Sequence, residues 1–359
     1  MNERKRIGII TFHNAHNNGA VLQCYALMSF LTQIGYNVAI IDYKAKALNY
    51  YHWFRWSRFK PWHPRYFLKN IFFLPRRIIR YYSFTNFVRK NLRLVSVEKW
   101  LRGGENFDTI VVGSDQLWNI NNSFGMYDYF YWGKFKEKIN SKIVSYAVSM
   151  GGAWKNVDWK TISVFLKNFN AISVREEYLE QLIESRCFCK VDTVLDPTLL
   201  ISNDFWKSKL NRKKRKRPYL FFYQARNNEK AFLYAKKVAK KKSLDFIVMS
   251  ADIASHNSIC TIGANPFDFL SFIDDADFVI TSSFHGTVFS LQYRKNFISL
   301  KLGDGDDGRI ENILKMYGLL ERFSDLNKIP EDTFIDYNRV EKNAEEIRKF
   351  STNWLYANL

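Results

Sequence analysis

The chain has 359 residues, 47% of them apolar, and a formal net charge of +19. That length allows two domains with separate cores, and no run of about 18 apolar residues is present to span a bilayer. Four cysteines, Cys24, Cys187, Cys189 and Cys260, lack the paired spacing of a zinc site. Cys187 and Cys189 stand two apart on an expected strand, on one face and poorly placed to bridge, so a reduced, cytoplasmic protein is the simplest expectation. The basic N-terminus MNERKR leads into an apolar stretch that is soon broken by His13, which reads as a first strand and not as a signal peptide.

In chain order the pattern predicts a strand at 6–11, a helix at 20–34 and a strand at 37–43. The stretch from Tyr43 to Val97 then carries thirteen Lys/Arg and no Asp or Glu, densely mixed with aromatics. It is expected to form helices interrupted by Pro61, Pro64 and Pro75. Strands follow at 107–113 and 143–151, a helix at 159–168, a strand at 171–174, a helix at 176–185 and a strand at 191–197. A basic run, NRKKRKRP, reads as an exposed linker. Beyond it come strand 218–224, helix 228–242, strand 244–250, helix 266–275, strand 277–283, helix 285–294, strand 296–302 and helix 308–317. A polar helix at 337–358 closes the chain. Strands alternating with helices in both halves predict an α/β fold of two Rossmann-like parallel-sheet domains facing a cleft. The boundaries fall at 1–205, with the basic aromatic insert at about 44–97, then a linker at 206–217, a second domain at 218–335 and the terminal helix at 336–359.

Polar groups gather where strands end, the usual ligand edge of such sheets. The first cluster, FHNAHNNGAVLQCYAL, places His13, His16, Asn17, Asn18 and Gly19 between the first strand and helix. In VVGSDQLWN, Gly113 lets the chain turn tightly before Ser114, Asp115 and Gln116. Asp115 there is either a general base or clamp on a sugar hydroxyl, or a turn or cap residue, which is the commoner role. In AISVREEYLEQL, Arg175 ends a strand and opens a helix. It either aims its planar fork at a carboxylate or phosphate or pairs at the surface with Glu176 or Glu177. In VITSSFHGTVFSLQYRKNFI, His285 and Gly286 open a helix whose amides favour an anion, with Ser282, Ser283 and Thr287 as hydroxyl donors. His285 is either a proton shuttle beside a bound phosphate or a capping and packing residue. No phosphate loop, GxGxxG turn or HExxH pair is present. The acidic loop KLGDGDDGR lacks full calcium-loop spacing, so no metal is expected.

The ordered set GIITFHNAHNNGAVLQCYAL, FDTIVVGSDQLWN, AISVREEYLEQLI, VLDPTLL and ITSSFHGTVFSLQYRKNFI resembles the polysaccharide pyruvyl transferase family, from about Ile7 to Leu320. The resemblance implies the two-domain GT-B-like architecture of glycosyltransferases. It also implies transfer of the pyruvyl group of phosphoenolpyruvate onto two hydroxyls of one sugar, giving a cyclic ketal and phosphate, in bacterial surface-polysaccharide synthesis. No cofactor is implied beyond that donor substrate. By the same resemblance His285 matches the functional histidine of an (S/T)-S-x-x-H-G-type turn, and Arg175 an arginine for the donor's carboxylate or phosphate. Asp115 matches the acidic or polar position after the third strand, and His285 and Asp115 divide the acid and base roles. Ser282, Ser283, Gly286 and Thr287 would complete the donor side, while His13, His16, Asn17, Asn18, Gly19, Ser114 and Gln116 would line the cleft toward the acceptor. Some relatives carry a basic residue two before the histidine, where this chain has Ser283. Arg309 or Arg226 would then hold phosphate in its place.

For the basic segment, a fold element and a peripheral contact with an anionic membrane presenting a lipid-linked acceptor stand side by side. Nucleic-acid binding ranks below both. The rival activities are a GT-B glycosyltransferase using a nucleotide sugar and a catalytically silent sugar-binding protein.

Overall fold

Apolar runs of four to seven residues bounded by turn residues become strands, and the stretches between them with apolar residues at helical spacing become helices. The computed structural model describes residues 4–45, 74–210, 215, 217–224, 226–250, 261, 263–303, 305, 307–326 and 334–359. Most of the basic aromatic segment, the greater part of the NRKKRKRP run, Cys260, and Asp304 and Asp306 of the acidic loop lie outside these residues.

The first half contributes strands β1 (Arg6–Ile10), β2 (Asn37–Ile41), β3 (Leu94–Val95), β4 (Thr109–Asp115), β5 (Lys142–Val148), β6 (Ala171–Val174) and β7 (Asp192–Thr193). They form one parallel sheet in the order β3-β2-β1-β4-β5-β6-β7. Its helices are α1 (Asn18–Gln33), α2 (Leu74–Asn91), α3 (Val97–Leu101), α4 (Trp159–Leu166), α5 (Glu177–Cys187) and α6 (Asn203–Ser208). The second half contributes β8 (Tyr219–Gln224), β9 (Asp245–Ser250), β10 (Phe278–Thr281), β11 (Phe297–Leu300) and β12 (Phe323–Ser324). These form a second parallel sheet in the order β12-β11-β10-β8-β9. Its helices are α7 (Glu229–Lys241), α8 (Pro266–Asp274), α9 (Phe284–Gln292) and α10 (Asp307–Met316), and α11 (Tyr337–Asn358) ends the chain.

In each sheet the strand order reverses once, between β1 and β4 and between β8 and β10. Connections leave those two strand pairs in opposite directions, which opens a crevice at the carboxyl edge. The two crevices face each other. Gly19 after β1 lies against His285 after β10, and Gly152 after β5 lies against Gly305 after β11.

Helix α1 joins the halves. It is buried from Asn18 through Leu27 and again at Phe30 and Leu31, as expected for a helix apolar on nearly every face. Tyr25 meets the rings of Phe87, Trp206 and Phe267 at 6.1, 6.1 and 5.5 Å, so one apolar core runs through both sheets. Helix α11 also bridges. The Tyr337 hydroxyl donates to Lys295 O at 2.5 Å, Ser351 Oγ accepts from Leu195 N at 2.9 Å, and Trp354 Nε1 donates to Asp192 Oδ2 at 2.8 Å. Among the described residues, no helix is long and apolar enough to cross a membrane.

Five expectations need correction. Cys187 ends helix α5 and Cys189 follows Phe188 in left-handed conformation, so the pair does not share a strand. The linker expected from 206 begins later, because Trp206 is fully buried in the short helix α6. The strand expected at 107–113 extends to Asp115, whereas the one expected at 191–197 shrinks to β7. There the chain leaves the sheet and Asp196 caps a short 3-10 turn, Pro197–Leu199. Pro75 falls in the first turn of α2, where a missing amide costs little.

Candidate active site

The site grows from six strand ends, those of β1, β4, β6, β7, β10 and β11. At the end of β4, Gly113 has φ +137° and its Cα faces Tyr146 O so closely that a Cβ would stand 2.0 Å from it. Only glycine fits. The next residue, Ser114, is held on all sides. Its carbonyl accepts from Thr11 Oγ1 at 2.8 Å, its amide donates to Gln23 Oε1 at 3.3 Å, and its hydroxyl donates to Ala147 O at 2.9 Å. Gln23, buried inside α1, completes the clamp by donating to Thr11 Oγ1 and Ala20 O, both at 2.8 Å.

Arg175, at the end of β6, reaches into this turn and is 3% exposed. Its Nη2 donates to Ser114 Oγ at 2.6 Å and to Asp196 Oδ2 at 2.8 Å. Nη1 lies 3.7 Å from Asp115 Oδ1, and neither Nη1 nor Nε has a hydrogen-bond partner. The guanidinium stacks over the Phe284 ring, 4.7 Å from its centroid, and Arg309 approaches the same ring at 5.6 Å. Two arginines thus approach one aromatic ring, whose quadrupole attracts each.

Asp196 is the buried carboxylate at the centre. Burial alone would raise its pKa, but Arg175, His285 and Thr198 outweigh it and hold the carboxyl well below the ordinary carboxylate range. His285, from the first turn of α9, crosses from the second half of the chain. Its Nε2 stands 3.7 Å from Asp196 Oδ2, too long for a hydrogen bond, and has no other partner. Its other edge packs on Gly19, where a Cβ would come within 2.1 Å of Nδ1. Ser283 precedes α9 without capping it through its side chain, which leaves the helix start to backbone amides. Glu176, fully buried beside Arg175, has its pKa raised by burial, which prevails over Arg175, Ser149 and Arg309.

This is a desolvated cluster of alternating charge in which buried N–H groups of Arg175 and one nitrogen of His285 lack a protein partner. Such donors are suited to a carboxylate or phosphate. His285 beside the ionised Asp196 is suited to hold and move a proton.

The model sequence of the family described as Polysaccharide pyruvyl transferase matches residues 17–303. The chain belongs to the polysaccharide pyruvyl transferase family. Comparison with curated proteins finds no match. Among solved structures, a putative UDP-N-acetylglucosamine 2-epimerase from Listeria monocytogenes is 9% identical, with TM-score 0.50 over 96% of this chain and 88% of that one. The MnaA–UDP co-structure from S. aureus has 10% identity and TM-score 0.48 over 96% and 87% of the two chains. The heptosyltransferase WaaC with ADP from E. coli has 11% identity and TM-score 0.40 over 95% and 99%. These likenesses concern the fold alone, which is the GT-B arrangement of two parallel-sheet halves.

In this pyruvyl transferase family member the sequence-predicted residues divide into groups. Ser114, Asp115, Arg175, His285, Gly19 and Arg309 come together around Asp196 and Phe284. Ser282 and Ser283 lie beside them at the entrance to α9, with Ser282 N spent on Tyr223 O at 3.1 Å. His13 and His16 face elsewhere, into a cavity of about 320 Å³ that also includes Asp42, Lys44, Tyr81 and Phe84. His13 is fully buried, with Nε2 2.7 Å from Asp42 Oδ1. Burial raises the Asp42 pKa, but hydrogen bonds from His13 and Lys44 outweigh it and leave the group lowered.

Five of the expected residues also make contacts within the fold. Asn17 is the N-cap of α1, accepting from Gly19 N and Ala20 N. Asn18 donates to Met249 Sδ at 3.3 Å across the two halves. Gln116 accepts from Asn119 Nδ2 at 2.8 Å within its own turn. Thr287 directs its hydroxyl inward to Ser283 O and Ser299 Oγ, at 3.1 and 2.6 Å. Gly286 packs against Thr281, whose Oγ1 would meet a Cβ at 2.1 Å. Arg226 stays exposed after β8. The residues missed were Asp196, Gln23, Phe284 and Glu176. In the sequence Asp196 stands within VLDPTLL, an acid just before a proline, which marks a turn cap where the pattern predicts a strand.

Proposed function

We propose that the protein transfers the pyruvyl group of phosphoenolpyruvate to two hydroxyls of one sugar in a surface polysaccharide or its lipid-linked precursor. One observation carries the reading: His285, delivered by the second half, meets the Arg175–Asp196 pair of the first half, with Nε2 of the histidine and two nitrogens of the arginine unpartnered. A donor carrying both a carboxylate and a phosphate would engage Arg175, Arg309 and the α9 amides.

In the reaction a first sugar hydroxyl attacks C2 of the donor while a proton goes to its C3 methylene, giving a methyl group and a tetrahedral carbon that still bears phosphate. The C2–O–phosphate bond then breaks and phosphate leaves with its electron pair. The second hydroxyl adds to the resulting oxocarbenium carbon and loses its proton, closing the ketal. The sum is diol plus phosphoenolpyruvate to ketal plus phosphate. His285, held beside Asp196, supplies the methylene proton, and Asp115 takes a hydroxyl proton. Arg175 and Arg309 stabilise the departing phosphate. Such an enzyme would act where phosphoenolpyruvate is made, in the cytoplasm.

The test is calorimetric titration with phosphoenolpyruvate, followed by phosphorus NMR of phosphate release in the presence of diol-bearing glycans. Binding is expected in the wild type, is weakened at least tenfold by Arg175→Ala, and survives His285→Ala with turnover abolished. Binding of a nucleotide sugar with no response to phosphoenolpyruvate would overturn the reading in favour of glycosyl transfer.

A further inference from the structure

Most of the described part of the acid-free segment is helix α2, and its two faces differ. Phe84, Phe87 and Val88 are buried against the core, whereas Ile78 and Ile79 are each 47% exposed and Tyr82 is 60% exposed. Residues 78, 79 and 82 share one helical face, and Arg89 and Lys90 continue it, exposed, two turns further on. Helix α2 has no acidic residue, and neither does the whole stretch 43–97 with its thirteen Lys/Arg. Two isoleucines and a tyrosine half in water, followed by basic residues on the same face, are an uncommon surface for a protein that faces water there.

We propose that this face of α2 docks on an anionic lipid bilayer. The apolar side chains would enter the headgroup boundary, Tyr82 would sit at the interface with its hydroxyl outward, and the basic residues would meet lipid phosphates. A nucleic acid would satisfy the basic residues but leave Ile78 and Ile79 facing water, so the bilayer accounts for both halves of the face. Topology places the contact. α2 runs into β3, which lies parallel to β2, so its apolar end sits at the carboxyl edge of the sheet, the edge that holds the cleft. Arg80 fixes that end by donating to His16 O at 2.5 Å and Ser250 O at 3.3 Å. The docked protein would therefore hold its cleft mouth next to the lipid surface. The proposal does not rest on the identity of the donor.

The experiment is co-sedimentation of the full chain with vesicles of phosphatidylcholine alone and with about 30% phosphatidylglycerol, at roughly 0.1 M salt. Sedimentation with the anionic vesicles only is expected. The double variant Ile78→Glu, Tyr82→Glu should weaken it at least tenfold, with an unchanged melting temperature and unchanged phosphoenolpyruvate titration. Should that variant misfold, Tyr82→Ser at its exposed position serves instead, with at least a threefold weakening expected. Absence of vesicle binding overturns the proposal. So does binding that neither substitution alters, which would place attachment on another basic surface, or displacement from the vesicles by an oligonucleotide with the same insensitivity.

Discussion

A methyl group on Gly19 would stand 2.1 Å from Nδ1 of His285, well inside van der Waals contact, and both residues are buried. One of them must move, and the imidazole is the more mobile. Gly19→Ala is therefore expected to displace His285 from Asp196 and cut kcat by at least tenfold while the protein still folds, as circular dichroism and steady-state kinetics would report. Asp196 makes a second prediction of known sign. Its folded pKa lies below the unfolded value of about 3.9, so its contribution is present above that pH and lost as pH falls through the folded value. Asp196→Asn leaves Arg175 without its buried counterion, at a cost of roughly 3–5 kcal/mol near neutrality. The gap in stability between wild type and variant should narrow steadily below about pH 4 in pH-stepped urea melts. A constant gap would mean that Asp196 acts through packing and not charge.

Helix α1 shows how a polar motif can serve two ends at once. Asn17 caps it and Gln23 clamps the Ser114 turn from within. Asn17→Ala is expected to cost about 1 kcal/mol of stability with KM for the sugar unchanged. Gln23→Leu should cost about 1–3 kcal/mol, since it strips partners from buried polar groups, and should also lower kcat because Ser114 orients Arg175. Urea melts and kinetics on both variants separate the two roles. The elements themselves were legible because long apolar runs alternate with amphipathic stretches throughout. The exceptions were the two-residue strands β3 and β12, where pairing is set by neighbouring strands and leaves almost no local signal, and the short helices α3 and α6. The site was half legible. His285, Arg175 and Asp115 announce themselves by standing at strand ends, but Asp196 hid in a strand that tertiary packing shortened. Asn17, Asn18 and Thr287 show the converse, being polar at the right place yet turned to capping or to the core.

At the scale of the molecule, one apolar core passes through α1 from sheet to sheet, and α11 ties the halves from the outside. The protein should accordingly unfold in one step. Trp354→Ala, removing a buried ring that also bonds Asp192, should cost about 3–5 kcal/mol and lower a single calorimetric transition. Two separate transitions in either protein would show that the halves melt independently.

Two alpha carbons, Gly152 and Gly305, meet where the sheets face each other, and a Cβ on Gly152 would come within 2.7 Å of the opposing Cα. Backbone against backbone has no rotamer to yield, so this contact works as a mechanical stop. In this structure it sets the spacing of the two halves at that point, and so bears on the gap across which His285 faces Asp196. A side chain at either position would act as a wedge, setting that gap wider by its own thickness and so adjusting the reach of the proton donor without touching it.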